Sequence, residues 1–193
     1  MSALTSEVEI LITGVDESVP DGTPPDVMVR DVAIRKAVAA SALAPDALIV
    51  AADTTVALDG EWLAKPNDDV EAASMLARLR GREHQVFTGV AVTFAGMVLA
   101  DVTTTLVAIA QLGDADITAY VATGDGSDKA GAYSVQGDAG EIVTAAEGCY
   151  TNVVGLPLCT LALLLARAGV TVYTPAPACG FRSDRRCPHP IWR

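Results

Sequence analysis

Seven side chains in this sequence have the types and placement to act on a phosphorylated ligand: Glu17 and Asp53, the lysines Lys36, Lys65 and Lys129, and the polar Thr54 and Gln136. Asp53 ends the apolar run Leu48-Ile49-Val50-Ala51-Ala52. Such a run reads as a buried strand, and α/β sheets place their chemistry at or just past strand C-termini. Glu17 follows a second short run, Val8 to Ile12, which also reads as a strand. Two carboxylates delivered from adjacent strand ends can hold a Mg²⁺-type ion, and a free one can act as a general base. Lysine is scarce in this chain, and Lys36, Lys65 and Lys129 come from three separate segments. A lysine is a compact point charge suited to phosphate. The amide of Gln136 can read a base edge with its donor and acceptor. Each residue also has a plainer reading. Asp53 would cap a turn, Glu17 would be a loop acid, the lysines would be solvated, and Gln136 would bond to its own loop.

The segments that must position these groups follow from local patterning. A Pro/Gly-rich loop, residues 20 to 25, precedes a helix from about Pro25 to Ala42, with Val29, Val32, Ala33, Ala37 and Ala40 at helical spacing. The span 48 to 64 reads as strand, Asp59-Gly60 turn and second strand, folding Lys65 back toward Asp53. Asn67-Asp68-Asp69 caps a helix to Arg80 that turns Ala72, Met75, Leu76 and Leu79 inward, and Gly81 closes it. Gln85–Phe94 and Val98–Ala110, joined by Ala95-Gly96, form an antiparallel hairpin. Asp114–Thr123 is a short helix. The glycine-dense stretch 124 to 140 lets the backbone approach a ligand closely. A core segment from Ile142 and an apolar helix to about Ala168 complete the domain, residues 1–174. Residues 175–193, rich in Pro, Arg and Cys, read as a disordered tail. The fold class is α/β or α+β with a mixed sheet.

With 193 residues, 51% of them apolar and 19% charged, the chain has material for one ordinary domain with a real core. Its net charge of −11 disfavours nucleic-acid polymers and anionic membranes as partners, but not a small phosphate ligand held by local lysines. The N-terminus lacks a basic, apolar signal pattern, from which a cytoplasmic location is expected. The cysteines form no C-x-x-C pair, so no zinc site is encoded, and Cys149 and Cys159 read as small buried hydrophobes.

Several blocks, in order, resemble the Maf family of nucleoside-triphosphate pyrophosphatases. They are Val15-Asp16-Glu17-Ser18, the helix with Ala33 and Lys36-Ala37, Ala52-Asp53-Thr54-Thr55-Val56, Lys65-Pro66, and His84-Gln85-Val86 with Thr88-Gly89-Val90. Asp128-Lys129-Ala130-Gly131-Ala132-Tyr133 with Gln136-Gly137, and Asn152-Val153-Val154-Gly155-Leu156-Pro157-Leu158, complete the set. The resemblance spans roughly residues 8 to 170. It implies a cytoplasmic, metal-dependent hydrolase, often a homodimer, using Mg²⁺ or Mn²⁺ to cleave between the α and β phosphates of a nucleoside triphosphate. The implied fold is a twisted mixed sheet flanked by helices, two-lobed, with the nucleotide in the cleft. Carried over, Asp53 is the catalytic acid and metal ligand, Glu17 assists at the metal, and Lys65 acts at the phosphates. Lys36 and Lys129 bind substrate, and Thr54 and Gln136 tune base choice. Thr directly after the Asp resembles the dTTP/UTP-hydrolysing subgroup. Two departures stand out. The family's opening strand and phosphate-gripping Ser-x-Ser-Pro-Arg-Arg loop have no counterpart here, and Gly124-Asp125-Gly126 replaces a Glu-Pro segment. The alternative reading is therefore a catalytically impaired remnant that at most binds nucleotide.

Overall fold

The computed structural model of the chain describes residues 8–136 and 142–171. Its elements are α1 (Pro25–Leu43), β1 (Ile49–Leu58), β2 (Glu61–Leu63), α2 (Asp69–Leu79), β3 (Glu83–Phe94), β4 (Met97–Ile109) and α3 (Asp114–Thr123). A 3-10 turn (Ala130–Ala132), β5 (Val143–Glu147), α4 (Tyr150–Val153) and α5 (Leu158–Arg167) follow. The strands form one sheet in the order β2-β1-β3-β4-β5. Local chemistry explains the boundaries. Pro25 opens α1, where a missing N–H costs nothing. The Asp68 carboxylate caps α2 by accepting the Glu71 N–H at 2.8 Å. Asp59 and Gly60, both at positive φ, make the two-residue turn whose twist matches the strands it joins.

The α/β class stands, but the sheet is not mixed: each of its four described pairings is antiparallel. β2 and β3 run the same way and are connected through α2 across β1, but β1 lies between them, so they never pair and every described ladder is antiparallel. Residues 8 to 12 are also not a strand. Ile10 and Ile12 are 87% and 90% exposed there, while Leu11 packs against the α1 core. The segment's apolar alternation has no sheet edge to pair with among the described residues, and without a ladder the pattern alone makes no strand. The expected disordered tail, residues 175–193, lies outside the described residues, as do Gly137 to Gly140.

The sheet carries a core on each face. On one, the small residues of α1, Ala33, Ala37 and Ala40, settle on Ile49 and Ala91. On the other, Leu161, Leu164 and Leu165 of α5 cover Val90 and Val92. A third cluster joins α2 and α3 to the far halves of β1, β3 and β4 through Leu76, Leu79, Val86, Val107 and Tyr133. Cys149 and Cys159 are buried in these layers. No helix among the described residues is long and apolar enough to cross a membrane.

Candidate active site

Asp53 does not end its strand. It is the fifth residue of β1, which runs on through the β-branched Thr54, Thr55 and Val56. What singles it out is the strand's outer edge: β2 pairs with Val56 to Leu58, and among the described residues no strand pairs with β1 on that side around Asp53. On its inner side Asp53 lies opposite Gly89 of β3. A Cβ on Gly89 would stand 2.3 Å from the Val29 carbonyl oxygen, so only glycine lets the α1 backbone approach this close. That approach brings Lys36 of α1 over Asp53.

Lys36 Nζ lies 2.8 Å from Asp53 Oδ1 and 3.0 Å from Glu17 Oε1. The two carboxylates therefore meet through an ammonium, not by delivery from two strand ends. Glu17 sits in a loop that α1 clasps. Arg35 donates to the backbone carbonyls of Asp16 and Ser18, while the Asp16 carboxylate accepts from the Ser18 N–H and hydroxyl. Arg35 thus sets the Glu17 loop beside the next residue of its own helix. Nothing in the spacing of Arg35 alone marks this role.

Burial pushes the Asp53 carboxyl above its ordinary value, outweighing the opposing hydrogen bond and charge of Lys36, with Glu17 adding repulsion. Burial alone would lower Lys36, but hydrogen bonds and attraction from both acids hold its pKa above the usual lysine value. Asp16 is held below the carboxylate range by its bonds from Ser18.

A cavity of about 840 Å³ opens at this edge, a size that accommodates a nucleotide. Glu17, Lys36, Asp53, Thr54, Lys65, Lys129 and Gln136 all line it. The sequence-predicted residues thus come from a loop, a helix, a strand and two further loops to one place. Lys65 follows β2, and Lys129, paired with Asp128, precedes the 3-10 turn. Gln136 is exposed, and its backbone is looped onto the Ser134 hydroxyl, which donates to the Gln136 carbonyl at 2.6 Å. Within the glycine-dense stretch, Gly126 presses on the Ala132 backbone and Gly131 on Val56, so these two serve packing within the protein. Apolar wall is supplied by Val19, Met28, Val32, Trp62 and Val153.

Beneath the cavity floor, His84 is 2% exposed, with Nε2 2.7 Å from the Tyr133 hydroxyl and Nδ1 without a partner among the described residues. Burial lowers its pKa to about 4. The unfolded chain takes up this proton near the ordinary value of 6.5, the folded chain only near 4. Stability from this group is therefore complete above the unfolded value and is lost as pH falls through that window, by roughly 3 kcal/mol at most. Urea unfolding at about pH 7.5 and about pH 4.5 should show a drop larger by roughly 2 kcal/mol in the wild type than in His84→Gln. Equal drops would refute a buried neutral imidazole.

Residues 1–168 match the family model described as Maf-like protein. A protein of Pelotomaculum thermopropionicum named dTTP/UTP pyrophosphatase is 48% identical over 165 residues, covering 84% of this chain and 86% of the relative. A second of that name, from Anaeromyxobacter dehalogenans, is 44% identical over 173 residues, covering 88% and 87%. A third, from Symbiobacterium thermophilum, is 42% identical over 165 residues, covering 86% and 85%. With a family model spanning most of its length and relatives this similar over most of theirs, the chain belongs to the Maf family.

Proposed function

We propose that this protein hydrolyses dTTP and UTP to the nucleoside monophosphate and pyrophosphate. The observation that carries the reading is the convergence of seven chemically apt side chains on one nucleotide-sized cavity, around a half-buried carboxylate at an open strand edge. The name borne by its relatives supports the substrate. Nothing in the cavity or among the relatives favours the impaired remnant.

In this reading, water attacks the α-phosphorus, the bond from that phosphorus to the bridging oxygen breaks, and pyrophosphate leaves with the electron pair. Asp53 takes the proton from the attacking water. Its half-buried setting makes it a stronger base than a free carboxylate, and Lys36 keeps it ionised. Lys65 and Lys129, with Lys36, supply positive charge to the phosphates. Thr54 and Gln136 face the base.

The donor set also suits a divalent cation. Glu17 and Asp53 are two adjacent carboxylates on the cavity wall, and Mg²⁺ is commonly held by one or two carboxylates plus substrate phosphates. A set of two carboxylates would leave the ion's remaining positions to substrate phosphates and water. Mg²⁺ or Mn²⁺, held by these two, would polarise the phosphoryl oxygens and lower the pKa of a bound water. The same reading puts the enzyme in the cytoplasm as a homodimer, without nucleic-acid or membrane partners. The strongly acidic net charge of −11 supports the last point.

The test is direct. Purified protein with Mg²⁺ or Mn²⁺ should release pyrophosphate, not orthophosphate, from dTTP and UTP. Release from no nucleoside triphosphate under either metal would overturn the proposal.

A further inference from the structure

Thr54 and Thr88 are directly opposite on β1 and β3, and their hydroxyl oxygens are 2.8 Å apart. Thr88 is fully buried, and its Oγ1 also lies 3.1 Å from the Asn152 backbone carbonyl. That carbonyl already accepts the Gly155 N–H at 2.9 Å. Asn152 cannot move away, because its buried amide donates to the Val86 carbonyl at 3.0 Å and to Thr105 Oγ1 at 2.9 Å. A hydroxyl has one hydrogen to give. If Thr88 gave it to Thr54, two oxygens would face each other lone pair to lone pair at the Asn152 carbonyl, in a site without water access. Two buried oxygens held 3.1 Å apart with no hydrogen between them repel, and the arrangement forfeits one hydrogen bond. Only the order Thr54 to Thr88 to the Asn152 carbonyl puts a hydrogen in both contacts.

We infer that Thr88 is a specificity-determining positioning residue: it consumes the Thr54 hydrogen, so Thr54 offers the cavity only lone pairs. Thr54 lines the cavity and Thr88 does not. The ligand edge it accepts from must therefore carry a hydrogen. Resting on the pyrimidine nucleotide reading above, this selects a base with a protonated ring nitrogen. The imide N3–H of uracil or thymine satisfies Thr54, whereas the bare N3 of cytosine meets it lone pair to lone pair. A hydroxyl free to rotate would accept both bases, and the buried acceptor behind Thr88 removes that freedom. Sites built to pair with one polar edge reject its complement strongly, because the mismatch leaves a group unpaired.

Three measurements on the full chain decide this. The kcat/KM ratio of UTP to CTP should fall by about tenfold in Thr88→Val, which returns the hydrogen to Thr54, and should be retained in Thr88→Ser, which restores the relay. A general packing defect would lower both substrates together and leave the ratio unchanged, overturning the proposal. Hydroxyl-proton NMR with labelled threonine, which needs no variant to fold, should place the Thr88 hydrogen on the Asn152 carbonyl. A Thr88 hydrogen directed at Thr54 overturns the proposal. A chain that turns over no nucleotide fails the function proposed above. In that event UMP and CMP affinities by calorimetry decide the present inference, tighter UMP supporting it and equal affinities overturning it.

Discussion

Asp53→Asn is expected to lower kcat for dTTP and UTP by about 10²- to 10⁴-fold, the usual contribution of a positioned general base. The substitution keeps the side chain's shape and leaves Lys36 within reach of Glu17, so the fold should survive. In the wild type, Lys36 bridges Asp53 and Glu17 at 2.8 and 3.0 Å. Asn can still accept from Lys36 but cannot take a proton from water. The Asp53 carboxylate is also partly desolvated, and burial already opposes its charge. Removing that charge should therefore cost little stability and remove most of the chemistry. Pyrophosphate release, read beside thermal unfolding of the same sample, separates the two effects. A variant that keeps at least a tenth of wild-type kcat would refute Asp53 as the base. One that loses activity only because it no longer melts cooperatively would leave the assignment unsupported by kinetics and point instead to a structural role for the Lys36 bridge.

Gly89→Ala should damage both the fold and the site. Its Cβ would stand 2.3 Å from the Val29 carbonyl oxygen, 2.5 Å from the Val29 carbonyl carbon and 2.7 Å from the Arg30 nitrogen. All three are backbone atoms of α1, so no side chain can swing aside and the helix itself must lift. Overpacking of this kind costs about 1–3 kcal/mol, occasionally more. For a chain of this size that lowers Tm by about 2–12 °C. The catalytic loss should be out of proportion to the melting shift. α1 carries Lys36 and, through Arg35, the Glu17 loop, while Asp53 stays with the sheet. Lifting the helix separates the cations and acids from their partner, and a misplacement near 1 Å commonly costs on the order of 10² in rate. Thermal melting and kcat measured together check both parts. Wild-type values in both would show that α1 does not need the close seat.

Much of the site was legible in residues 48 to 66 and in the scattered lysines. Acid, hydroxyls and lysine occur there together, and a hairpin turn at Asp59-Gly60 returns Lys65 toward the acid. The helices α1 and α2, the β3–β4 hairpin and the inward faces of each follow from periodicity and turn residues, because burial on one side of an element writes its period into the sequence. Fully local signals such as the Asp68 cap are read the same way.

What patterning does not carry is who pairs with whom. Residues 8 to 12 alternate like a strand, yet a strand exists only if another edge receives its hydrogen bonds, and none among the described residues does. Asp53 looks like a strand end because its apolar run stops there. The ladder continues, and its distinction is an unpaired edge, which is a property of strand order. Likewise, that Gly89 admits a helix backbone, that Arg35 clasps the Glu17 loop, and that Thr88 orders the hydroxyl of Thr54 are long-range contacts between segments far apart in the chain. By itself the sequence determined which side chains are chemically apt and which elements carry them. Only the tertiary structure decided that those side chains share one cavity, which of them touch, and which way their hydrogens point, because distance and donor direction arise when separate elements pack.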